Sequence, residues 1–220
     1  MKYKSKILLK SCWAGMSVCI SLGFFFNTVG AISANGCDSL AAAFKANDNS
    51  RQKIIMIRQM ALRHDLCPDA ESHVIMQSLT DNSSSVVEEG IVQAGNGRHS
   101  DIAPVLVNLY RNAGRKYPGN QPRLQKRIIT ALGNIDNKET RELFAQVLSR
   151  GNIDANTERV LSSISSACVH DVLPELKSFS QKMSDVLTTM QNTPENSYKY
   201  EFCKKLLTMA QTLINKDASR

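Results

Sequence analysis

Cys168, His170 and Asp171 stand within four residues of one another, and a thiol beside an imidazole and a carboxylate can make a nucleophile and its base. His64-Asp65-x-Cys67 brings the same residue types together, and His99-x-Asp101 repeats the imidazole and the acid. The competing reading is structural. In an exported chain these cysteines are expected in disulfides. A histidine late in a helix suits the negative end of the helix dipole, and an aspartate at the next helix start suits a cap. The chain has no His-Glu-x-x-His pair, no Gly-x-Ser-x-Gly elbow and no glycine-rich phosphate loop. It also has no Cys-x-x-Cys, the paired spacing that metal binding would want. The sequence therefore yields no catalytic residue, no metal site and no cofactor, and any role must come from the elements that carry these side chains.

Residues 1–34 read as a secretory signal peptide. Met1 to Lys10 carry four lysines and no acid, an apolar run follows through Trp13 and Phe24-Phe25-Phe26, and small residues close the segment at Ala31 and Ala34. An uncleaved anchor is the alternative, and only then would the membrane be a partner. The whole chain is formally +7. Without the four leader lysines, 23 basic side chains face 20 acidic ones. So small an excess, on an exported chain, excludes a nucleic-acid binder. The expected location is periplasmic or secreted.

Export also decides how the cysteines are read. Cys37, Cys67, Cys168 and Cys203 remain after cleavage, an even number that suggests disulfides in an oxidising compartment. Four cysteines permit three connectivities, and local pairing favours Cys37–Cys67 and Cys168–Cys203.

The rest of the chain has helical rhythm and no sustained alternation of strand type. Leu124, Ile128, Ala131, Leu132 and Ile135 fall on one helix face; Leu143, Phe144, Val147 and Leu148 fall on another. Between them Gly133 suits a helix end, and Asp136 with Glu139 suits a capping box. The unit recurs. Ser85-x-x-Glu88 reads as a second capping box, followed by Val87, Ile91 and Ala94 and a break at Gly95-Asn96-Gly97. Val160, Leu161, Ile164 and Ala167 form a third face. The second helices open at "DIAPVL", "ETRELF" and "DVLPEL", with offsets of 38 and 32 residues. Pro104 and Pro174 fall in first turns, where a missing N–H costs nothing. A looser pair precedes these units around Ile54, Ile57, Ile75 and Leu79, and Pro194 opens a last helix bearing Cys203, Leu206 and Ala210.

A period of 30 to 40 residues marks a solenoid. The stretch Ser85 to Met183 resembles HEAT repeats, most clearly in "RLQKRIITALGNIDNKETRELFAQVL". The resemblance implies an all-α, short right-handed solenoid of antiparallel helix pairs that offers a groove to a partner, usually another protein. It carries no shared active site. The expected division is a helical pair over 35–82, HEAT-like repeats over 83–190 and a C-terminal capping helix over 191–220, pinned by Cys168–Cys203.

The expected function is an exported scaffold or adaptor that binds another protein. A hydrolase-like enzyme on a helical scaffold and a membrane-tethered structural subunit are the alternatives. Equivalent second helices would line the groove with Asn108, Arg111, Arg141, Gln146, Lys177 and Gln181. The segment "NAGRKYPGNQP", Asn112 to Pro122, reads as a solvated loop overhanging it, with Tyr117 as an anchor and Arg115 and Lys116 as steering charges. On that reading, replacing all three by alanine leaves stability unchanged.

Overall fold

The computed structural model describes residues 34–164, 169–190 and 192–219. The described residues are all-helical, without a strand. Ten α-helices follow in order: α1 Ala34–Ala46, α2 Ser50–Ala61, α3 Pro68–Ser78, α4 Ser84–Asn96, α5 Ala103–Lys116, α6 Gln121–Asn134, α7 Lys138–Arg150, α8 Ala155–Ser163, α9 Leu173–Thr189 and α10 Ser197–Ala218. Single 3-10 turns at Ser100–Ile102, Pro118–Asn120 and His170–Val172 precede α5, α6 and α9. The expected leader lies outside the described residues, apart from Ala34. The segment expected to hold one helix pair, 35–82, holds three helices. The expected face residue Ala167 also lies outside the described residues.

Local chemistry sets the helix ends. The side chains of Asn49, Asn137 and Asp154 accept bonds from N–H groups in the first turns of α2, α7 and α8, satisfying donors that have no partner within the helix. Asn137, not Asp136, caps α7; Asp136 instead pairs with Arg141 at 2.8 Å. Ser85 lies inside α4, whose cap position is Ser83, so the expected box at Ser85 and Glu88 is not formed. Proline sits in the first turn of α3, α5 and α9, as expected, and also of α6, where Pro122 had the look of a loop residue; the last helix begins at Ser197, beyond Pro194. Gly151 closes α7 at φ 61°, a left-handed conformation that favours glycine.

Two glycines read as helix ends are packing contacts. Gly95 lies within α4, where an added Cβ would stand 2.7 Å from the Ala131 Cα on α6. Gly133 lies within α6, where an added Cβ would stand 2.7 Å from the Ser163 Cβ and carbonyl oxygen on α8. The two are 38 residues apart, the offset that separates the first two units of the sequence pattern. Each lets one even-numbered helix approach the next at backbone distance.

The helices touch in a regular order. α2, α4, α6 and α8 each pack on the next even helix; α1 packs on α3, α5 on α7, and α7 on α9. Among sequential neighbours, α1–α2, α2–α3, α3–α4, α5–α6, α7–α8 and α9–α10 pack together, whereas α4–α5, α6–α7 and α8–α9 make little contact. The tight pairs are thus displaced by one helix from the units α4–α5, α6–α7 and α8–α9 read in the sequence. Extended residues Ile135 and Asn137 carry the chain away from α6, and 3-10 turns lengthen the connections into α5 and α9.

Two apolar clusters result. A large one runs from Ile75 through Phe144 and Phe179 to Ala210; a small one joins Cys37, Phe44, Ile57, Met60, Cys67, Val74 and Val86. Helix α3 feeds both, Val74 into the small cluster and Ile75 into the large. The expected Cys37–Cys67 disulfide is formed, with Cα atoms 6.2 Å apart, and ties α1 to the start of α3. Of the expected Cys168–Cys203 bridge, only Cys203 falls among the described residues. Cys203 is a free, fully buried thiol whose Sγ lies 3.5 Å from Met183 Sδ. Burial raises its pKa, Lys199 opposing, and favours the neutral form. Cys168 lies outside the described residues. Helix α10 is held by Cys203, Leu206 and Ala210 against the core and by Lys205 on Glu158 at 2.6 Å. No helix of the described residues is long and apolar enough to cross a membrane.

Candidate functional site

A cleft of about 340 Å³ opens where the tight pairs α5–α6 and α7–α8 meet. Helix α5 contributes Tyr110 and Arg111, and the start of α6 contributes Gln121 and Gln125. Helix α7 adds Gln146 and Arg150, and the turn into α8 adds Asn152, Asp154 and Asn156.

Hydrogen bonds hold these walls together. Gln125 Nε2 donates to the Tyr110 carbonyl at 3.2 Å, and Asn156 Nδ2 donates to Gln125 Oε1 at 3.4 Å. Asp154 Oδ1 is engaged by the Thr157 N–H at 2.8 Å and the Thr157 hydroxyl at 3.1 Å as the cap of α8. Burial pushes the Tyr110 phenol above its ordinary pKa; Asp154 adds to that and Arg150 opposes it. The phenol is therefore neutral. Arg111 and Arg150 have no acidic partner within ion-pair distance among the described residues. The cleft thus offers two guanidinium groups and several carboxamides, each carboxamide with a donor and an acceptor in the arrangement of a peptide group.

Of the residues singled out in the sequence, the structure brings Arg111 and Gln146 into this one cleft. Asn108 lies on an exposed stretch of α5, where its carbonyl and side-chain oxygen accept from Asn112 Nδ2. Arg141 is a staple: it reaches Asp136 at 2.8 Å and Asp171 at 2.9 Å, joining α7 to the turn before α9. Lys177 and Gln181 are exposed on α9, away from the cleft.

The expected loop is not a loop. Helix α5 runs on through Lys116, and α6 begins at Gln121. Tyr117 is only 7 % exposed, packs in the large cluster and donates its hydroxyl to the Asp81 carbonyl. Lys116 Nζ donates to the Thr80 carbonyl at 2.8 Å and lies 5.1 Å from the Tyr117 ring centre. Arg115 is exposed and bonds Asn112 Oδ1 at 3.3 Å. An anchor for a partner must be on the surface, and Tyr117 is inside.

The cleft residues that the sequence reading missed are Tyr110, Gln121, Gln125, Arg150, Asn152, Asp154 and Asn156. Their only signal is a run of polar residues beside Gly151, which reads as an ordinary turn. His64 and His99, taken as separate helix-end residues, give no side-chain cap; they converge on Glu71, a residue the sequence did not mark. His170 is exposed, 3.7 Å from Asp217. No family model matches the chain, and neither the curated proteins nor the solved structures include a match to it.

Proposed function

We propose that the protein is an exported HEAT-like scaffold whose cleft between α5–α6 and α7–α8 binds an extended polypeptide segment carrying an acidic side chain. The observation that carries the reading is the pair of guanidinium groups, Arg111 and Arg150, which outnumber the one acid, Asp154, in a carboxamide-rich cleft and have no ion-pair partner among the described residues. Carboxamides pair with peptide groups along an extended strand, and a guanidinium clamps a carboxylate through two parallel bonds. The order of helix contacts supports a solenoid-like stack of helices, with Gly95 and Gly133 as equivalent close contacts in successive units. Helix α10, packed on α8 and α9, is the terminal cap of that array.

Selection from a random peptide display library on the purified protein tests the reading. Enriched peptides share an aspartate or glutamate, and their affinity for an Arg111→Ala, Gln146→Ala variant falls about tenfold or more, the cost of one good anchor. Enrichment without an acidic residue, or an unaltered affinity, contradicts it.

A further inference from the structure

Away from the cleft, His64, Glu71 and His99 meet where the α2–α3 turn, the first turn of α3 and the segment after α4 come together. Their ligand atoms all lie within 4.8 Å of one another. His64 Nδ1 stands 2.6 Å from Glu71 Oε2, and His99 Nε2 stands 3.5 Å from Glu71 Oε1. We propose that these three side chains form a binding site for a zinc-class divalent transition-metal ion.

One buried group lacks a partner without such an ion, and a buried carboxylate faces it. Glu71 is 1 % exposed, and its ion-pair partners among the described residues are the two histidines; no lysine or arginine reaches it. His99 is 8 % exposed, and its Nε2 has no hydrogen bond, because 3.5 Å to Glu71 is beyond hydrogen-bond length. Buried ring nitrogens are nearly always partnered. One ion accepts lone pairs from both groups at once.

The donor set chooses the ion. Two imidazole nitrogens with one carboxylate suit zinc, whereas magnesium and calcium want oxygen ligands. Zinc held by three protein ligands at about 2.0–2.2 Å requires ligand atoms about 3.3 Å apart, within reach of side-chain rotation from the spacing found here.

The backbone is built to hold this arrangement. The Cys37–Cys67 disulfide fixes the segment between His64 and Glu71. Arg98 takes φ 53°, a left-handed conformation, and turns the chain just before His99. An added Cβ at Gly97 would stand 2.4 Å from His99 Nε2, so glycine leaves the imidazole its place. The adjoining cleft, about 410 Å³, is lined by His99 together with Ser72, His73, Met76 and Asp101.

The test uses the full chain with its disulfide intact, stripped with chelator and titrated with zinc by calorimetry, then with cobalt(II) as a spectroscopic probe. One zinc per chain is expected, with the visible bands of four- or five-coordinate cobalt. His64→Ala and His99→Ala each weaken zinc binding more than tenfold, and His73→Ala leaves it within twofold. His64 is exposed, so its variant keeps the fold even where substitution of buried His99 does not. No stoichiometric zinc, unchanged affinity in His64→Ala, or a sulfur-to-cobalt charge-transfer band indicating cysteine ligands overturns the proposal.

Discussion

Replacing Tyr117 with alanine is expected to cost about 3–5 kcal/mol of folding stability, the range for deleting a buried aromatic side chain. The ring is 7 % exposed and packed in the large cluster, and its hydroxyl bonds the Asp81 carbonyl in the turn between α3 and α4. It therefore ties the end of α5 to a turn 36 residues upstream. Tyr117→Phe keeps the ring and loses only the hydroxyl, so about 1 kcal/mol is expected. Arg115→Ala, at an exposed position, should stay within about 0.5 kcal/mol of the parent. Urea unfolding with a constant slope measures all three. A Tyr117→Ala protein as stable as the parent would return this segment to a solvated loop.

The second large effect concerns the N-terminal helices. Cys37 and Cys67 are separated by 30 residues, and a bridge closing a loop of that size stabilises by about 3–4 kcal/mol in the chain-entropy model. The cluster around this bridge is small, and Val86 is its only member beyond α3. Loss of the bridge should therefore loosen α1 to α3 before the rest of the chain. In a Cys37→Ser, Cys67→Ser protein, amide exchange is expected to accelerate across 34–78 while α6 to α9 keep their protection. The parent under reducing agent should behave alike. A uniform rise across all helices contradicts a separately stabilised N-terminal unit.

What the sequence made legible was burial by period. Leu124, Ile128, Ala131, Leu132 and Ile135 are all buried on the face the spacing gave them, as are Leu143, Phe144, Val147 and Leu148. The proline starts of α5 and α9 were legible for the same reason: they depend on backbone chemistry within one turn. What failed depended on contacts between distant residues. Gly95 and Gly133 do lie at helix ends, but their packing role shows only when Ala131 and Ser163 are seen against them. Asn112 to Pro122 has the composition of a loop, yet two of its prolines occupy first turns and its tyrosine is buried. Helix α1 was missed because its apolar residues, Cys37, Leu40, Ala41 and Phe44, follow directly on a segment read as leader. The tight pairing of α5 with α6 and α7 with α8 was invisible, since each helix faces two neighbours and the pattern does not say which is nearer. Of the candidate site, Arg111 and Gln146 were legible. Most of the rest comes from α6, the end of α7 and the α7–α8 turn, where polar residues carry no period. His64, Glu71 and His99 are 7 and 28 residues apart, a spacing that matches no metal motif.

The central claim is that Arg111 receives the acidic residue of a bound peptide. A charge exchange tests it most directly: the affinities of the parent and Arg111→Glu proteins are measured for a selected peptide and for its acid-to-lysine counterpart. A coupling energy of at least about 1.5 kcal/mol is predicted, in the range measured for close charge pairs across interfaces, with the lysine peptide binding Arg111→Glu better than it binds the parent. Effects that add to within about 0.5 kcal/mol, the behaviour of independent sites, would contradict it.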